Sequence, residues 1–109
     1  MSTQAEIAER ALRKLKVIGA TETATAEDLA LALQSVTDAH NVLAGMSLLR
    51  WAEDDIPAEA DLGYVLMAAY LMAPDFNQPQ QTEWMTQGVG IVQNVVYLPM
   101  TGTVSAEDF

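Results

Sequence analysis

No cysteine occurs in this chain of 109 residues, which removes disulfide staples, thiolate nucleophiles and zinc–thiolate sites from consideration. Basic side chains are nearly as scarce: 5 Lys and Arg stand against 15 Asp and Glu, for a formal charge of −10. That balance argues against a free-standing nucleic-acid binder, whose phosphate contacts need net positive surface. It favours solubility and repels anionic membranes and DNA. Long apolar runs are missing too. The longest, YVLMAAYLMA at 64–73, is about half of what a membrane span needs. The opening MSTQAEIAER is polar and lacks the apolar stretch of a signal peptide, so the expectation is a soluble intracellular product with no membrane partner. No G-x-S-x-G, H-E-x-x-H, P-loop or dinucleotide fingerprint occurs, so no catalytic residue, metal ligand or cofactor is assigned.

What is present suits packed helices. Half the residues are apolar, mostly Ala, Leu, Val and Met, and the length supports one domain with a real core. Thr3 and Glu6 have the spacing of a capping box, so a first helix is expected from about Gln4. Ile7, Ala8, Ala11, Leu12, Leu15 and Ile18 make its apolar stripe, and Gly19 is the expected left-handed terminator. Thr25, Glu27 and Asp28 mark the start of a second helix with the stripe Leu29, Leu33, Val36, His40 and Leu43. Val42, Met46, Leu48 and Leu49 add a second apolar side, which predicts more than one covering partner.

Asp61 is the expected cap of a third helix, apolar nearly all round and therefore central, with Pro74 stopping it. Asn77 is the expected cap of a fourth helix, in which Gly88 and Gly90 predict close packing or a bend. Its β-branched run leaves a strand as the rival assignment. The fold class is therefore all-α: a four-helix, bundle-like domain over 1–98 with a short extended C-terminal tail at 99–109.

Four of the five basic residues, Arg10, Arg13, Lys14 and Lys16, lie near the end of the first helix, where the helix dipole favours cations. Glu53, Asp54, Asp55, Glu59 and Asp61 gather after Trp51. They lack the alternation and central glycine of a calcium loop, so a solvated acidic loop is expected. His40 lies on an apolar stripe, where a packed and hydrogen-bonded role is expected. The aromatic residues Trp51, Trp84, Tyr64, Tyr70 and Tyr97 are expected to pack. Trp51, at a helix end beside polar residues, is also a partner-contact candidate.

The order of these motifs is similar to that of the small helical head-to-tail connector (adaptor, head-completion) proteins of tailed bacteriophages. ALRKLKVIGATETATAED resembles their first helix end and the Thr/Ser-Ala-Glu-Asp cap of the next helix. That helix ends near a tryptophan, here Trp51, and AAYLMAPDF resembles the Ala-Pro-aromatic close of the helix after it. The resemblance spans residues 5–98. The chain departs from it in having Lys16 where a glycine is usual, in the acidic AEDDIP after Trp51, and in a short C-terminal extension.

The resemblance implies a non-enzymatic virion subunit at the head–tail junction, assembled from the host cytoplasm as a dodecameric ring beneath the portal protein. Such a ring extends the DNA channel, helps retain packaged DNA through non-specific proximity, and offers a surface to the tail or next connector protein. Expected contacts with a neighbouring subunit or the portal are Arg10, Arg13, Lys14, Lys16, Trp51, Glu53, Asp54 and Asp55, with basic and acidic edges opposed. Pro99, Met100, Val104 and Phe109 are the expected tail contacts. A different class of function, an acidic helical regulatory or inhibitor module that mimics DNA, needs carboxylates along one surface, whereas here they cluster at caps and loops. A cell-wall-cleaving enzyme would rest on Glu53 and its neighbours alone.

Overall fold

A computed structural model describes residues 3–19, 21–47 and 49–97. Pro99, Met100, Val104 and Phe109, together with the tail assigned to 99–109, lie outside the described residues. Among those described there are four α-helices and no strand: α1 (Gln4–Lys14), α2 (Ala26–Gly45), α3 (Asp61–Met72) and α4 (Thr82–Tyr97). Short 3-10 helices at Ala58–Ala60 and Ala73–Phe76 bracket α3.

The first helix starts where local chemistry dictates. Thr3 Oγ1 accepts from the Glu6 amide at 3.1 Å, and the Glu6 carboxylate accepts from the Thr3 amide at 2.8 Å. Its end differs from expectation. Gly19 does not terminate it, because no glycine among the described residues has a positive φ. Lys16 takes the left-handed conformation instead, at φ 63°. The Lys16 amide bonds the Arg13 carbonyl and the Val17 amide bonds the Leu12 carbonyl, both at 3.0 Å, the paired pattern of a Schellman motif. Half-buried Val17 packs against the core cluster to which buried Leu12 belongs.

Ser47 and Asn77 also occupy left-handed backbone, at φ 60° and 59°. Asn77 therefore closes the 3-10 helix after α3, with its amide on the Pro74 carbonyl, and does not cap α4. Thr25 caps α2 as expected, accepting from the Asp28 amide. Asp61 does not cap α3. It is the first helical residue, it makes no capping hydrogen bond, and it is 6% exposed.

Helix α3 is the centre of the molecule and packs against α1, α2 and α4. Its all-round apolar sequence matches that position, with Tyr64, Val65, Leu66, Met67, Ala68, Ala69 and Met72 all buried. The α1 stripe is buried as expected, from Ile7 to Ile18. The substantial contacts of α4 are with α3 and the Ala58–Ala60 turn. There Gly88 meets Gly63: a Cβ built on Gly88 would lie 2.7 Å from the Gly63 carbonyl oxygen, and one on Gly63 would lie 2.8 Å from that of Gly88. The two backbones touch where they cross, which only glycine permits. Gly90 has no such reason, since a Cβ there meets open space. The second apolar side of α2 is also left uncovered at Val42 and Met46, which are 39% and 49% exposed.

Lys16 offers a direct check on this backbone. A lysine in the left-handed region carries a Cβ–carbonyl clash that glycine lacks. Lys16→Gly is expected to stabilise the domain by about 1 kcal/mol, since the native conformation is kept and its strain removed. An unchanged or lower urea midpoint would contradict the strained-cap account.

Candidate functional site

The basic segment lies where three elements converge. The Leu15 carbonyl accepts from Gln78 Nε2 at 2.7 Å, which ties the end of α1 to the turn following α3. Lys14 Nζ stands 5.3 Å from the ring centroid of Trp84 in the first turn of α4, within cation–π range. Arg13 is half-buried and donates to the Glu22 carbonyl at 3.2 Å, while its Nε is buried without a partner among the described residues. Arg10, Lys14 and Lys16 are exposed. Much of the cluster therefore does architectural work: one residue clamps a loop, one covers a tryptophan and one shapes a helix end. Glu22, Asp75 and Glu83 lie in the neighbouring loop, 3-10 helix and helix start, so this end is of mixed charge.

The acidic segment lies at the opposite end of α3. Trp51 Nε1 donates to Tyr64 Oη at 3.0 Å, which fixes the α2–α3 connection beside the first turns of α3. His40 Nδ1 lies 2.8 Å from the same hydroxyl. Thr37 Oγ1 donates to the Glu53 carboxylate. Ile56, 1% exposed, anchors the connection in the core. Asp54 and Asp55 are exposed, in keeping with a solvated loop, whereas Glu53 is half-buried by its contact with α2. Asp61 Oδ1 is buried with no donor among the described residues.

The donor inventory fixes one direction in the Trp51–Tyr64–His40 group. An indole N–H can only donate, so Tyr64 Oη must accept from Trp51. The 2.8 Å contact between His40 Nδ1 and Tyr64 Oη is made by the phenol proton in one imidazole tautomer and by Nδ1–H in the other, since the phenol oxygen has a second lone pair. Burial is the main force on the Tyr64 phenol, which is pushed up to about 12; the Trp51 hydrogen bond pulls it down and the Glu53 carboxylate raises it. The arrangement is a satisfied, oriented polar cluster in an otherwise apolar core. It joins Trp51 and Glu53, both expected at a contact surface, to Thr37, His40 and Tyr64.

Sequence reasoning expected His40 to be packed and hydrogen-bonded but did not identify its partner. Tyr64 lies 24 residues away. The only available signal was one histidine and one tyrosine on the inward stripes of consecutive helices. Among the described residues no group of three or more His, Asp or Glu could hold a metal ion, and no helix is long and apolar enough to cross a membrane. No family model, curated protein or solved structure matches this chain.

Proposed function

We propose that the chain is a structural head-to-tail connector subunit, forming a ring beneath a portal and presenting a second surface to the tail or the next connector. The observation that carries this reading is the coincidence of the quoted motifs with the joints of the fold. ALRKLKVIGA spans the close of α1, and the position where connectors usually have glycine is the left-handed Lys16, the backbone state for which glycine is the default. TAED is the α2 cap, Trp51 fastens the α2–α3 connection, and AAYLMAPDF carries α3 into its terminating turn.

The opposed ends of α3 also suit a coupler between two layers, one end carrying Arg10, Arg13, Lys14 and Lys16 and the other Glu53, Asp54 and Asp55. The acidic balance suits a channel along which DNA slides without adhering. Ring contacts join different faces of neighbouring subunits.

The deciding measurement is negative-stain microscopy of the chain with and without a purified portal ring. Added density at the narrow end of the portal is expected. Charge reversal at Arg13 and Lys14 is expected to weaken that association at least tenfold. Assembly indifferent to the reversal would remove the basic end from the contact, and no binding to portals of any cognate phage would remove the reading. The inhibitor alternative is favoured instead by a stable monomer that binds a basic cellular enzyme.

A further inference from the structure

Three non-glycine residues among those described take the left-handed backbone, Lys16, Ser47 and Asn77, and each closes a helix. Asparagine is one of the few residue types that tolerate this state, and serine is short and uncharged. Lysine is neither, and its Cβ carries a clash that glycine would avoid at the same position. Strain of this kind persists where the surroundings repay it, and it gathers at sites that have a role.

The surroundings of Lys16 within the subunit return little. Its Schellman hydrogen bonds are made by the main-chain amides of Lys16 and Val17, so a glycine would keep both. The helix dipole favours a cation here, but Arg13 and Lys14 already fill the last turn of α1. Both of those are engaged, Arg13 with the Glu22 carbonyl at 3.2 Å and Lys14 Nζ at 5.3 Å from the Trp84 ring centroid. The Lys16 side chain is exposed and makes no hydrogen bond or ion pair among the described residues. Arg10 is exposed as well, but it sits on regular helix, where it carries no conformational penalty of this sort.

Charge decides what the free ammonium meets. Glu22, Asp75 and Glu83 stand in the elements around the basic residues, and the chain as a whole carries −10. A nucleic acid presents negative charge at every step along its backbone, so it would meet these carboxylates together with the cations. A protein surface can set a few carboxylates against the cations and neutral or basic groups against Glu22, Asp75 and Glu83. Lysine suits such a contact, being a point charge on a flexible stem that needs no fixed fork geometry.

We propose that Lys16 is kept in the left-handed state for a contact outside the subunit, in which its ammonium pairs with carboxylates on the surface of a partner protein, with Arg10 beside it. The basic end is the one assigned above to the portal, so the contact deepens that reading, but its first test needs no portal.

That test follows the fluorescence anisotropy of a labelled poly-glutamate peptide mixed with the full chain at low ionic strength, where exposed charge pairs are least screened. The unmodified chain is expected to bind. Lys16→Gly keeps the backbone, gains stability in urea, and is expected to bind about fivefold more weakly, the effect of losing one exposed pair. Lys16→Arg is expected to restore the binding without the gain in stability. Arg50→Ala removes the same charge from the connection after α2 and is expected to change binding by less than about twofold.

No binding by the unmodified chain, or equal binding by Lys16→Gly, overturns the proposal. An equal loss in Arg50→Ala overturns it too, since only net charge would then count. Tighter binding of single-stranded DNA than of poly-glutamate, with the same dependence on Lys16, would make the partner a nucleic acid and overturns it likewise. The expected peptide result, with no portal binding by the unmodified chain, removes the connector reading and leaves the Lys16 contact standing.

Discussion

Gly88→Ala is expected to lower the stability of the domain by about 2 kcal/mol, although alanine is the better helix former by about 1 kcal/mol. The added methyl would stand 2.7 Å from the Gly63 carbonyl oxygen and 2.7 Å from Met67 Cγ. Met67 can turn aside, but the carbonyl belongs to the backbone of α3, so the helices must separate. Separation opens the seam around buried Val92 and Met67, which sets the sign of the effect. Gly63→Ala is expected to behave alike, its Cβ lying 2.8 Å from the Gly88 carbonyl oxygen and 2.9 Å from Val92 Cγ2. The double variant is expected to cost less than the sum of the two, because helices already parted by one methyl accommodate the second. Gly90→Ala is the control and is expected to gain about 1 kcal/mol, with open space around the new methyl. Urea denaturation of the four variants checks this ordering. Equal effects at positions 88 and 90 would show that helix propensity, and not backbone contact, governs α4.

Tyr64→Phe is expected to cost about 1–3 kcal/mol while leaving the ring in place, because Trp51 Nε1 and His40 Nδ1 both lose their partner. The same hydroxyl sets an alkaline limit. The Tyr64 phenol lies at about 12 in the folded chain against an ordinary 10.0, so its neutral form is favoured by folding. That contribution is fully present below pH 10 and is lost as pH rises through about 12, on the order of 2 kcal/mol in all. Absorbance titration is expected to show a phenol step near pH 12, belonging to Tyr64, that comes together with the loss of helical circular dichroism. In Tyr64→Phe this late step is absent. Ionisation of Tyr64 near pH 10 without unfolding would mean that the phenol is not held as described.

These cases mark what could be read from the sequence and what could not. The start of α1 was legible because Thr3 and Glu6 are three residues apart and the box is closed by local bonds alone. The central place of α3 was legible because a helix with no polar side has nowhere else to go. The end of α1 was misplaced because Gly19 is the better left-handed residue by intrinsic preference. The paired hydrogen bonds to Arg13 and Leu12, with Val17 turned inward, put the reversal at Lys16 instead. Asn77 was given the wrong role for a related reason: the same residue type suits a helix cap and a left-handed closure, and only chain direction after Pro74 decides between them.

Gly88 was flagged for close packing, but Gly63 was not, since the partner of a helix crossing is a pairing between elements and leaves no trace in either stripe alone. The polar cluster was hidden in the same way. His40, Trp51 and Tyr64 are ordinary inward residues until the α2–α3 connection folds back and brings their three polar atoms together.

The attachment of α4 has a consequence for the order in which the molecule comes apart. Helices α1, α2 and α3 support one another in all three pairings, whereas α4 leans chiefly on α3. Ile7, Leu12, Val36, Leu43 and Tyr64 belong to one core cluster that α4 joins through Val92 and Val96. Three helices thus brace one another in a triangle, while α4 is held mainly through a single neighbour, with the glycine crossing as its fastening. In kinetic terms, the amides of α4 are expected to exchange with solvent before those of α1 and α2, and native-state hydrogen exchange in which α4 is protected as long as they are would contradict this.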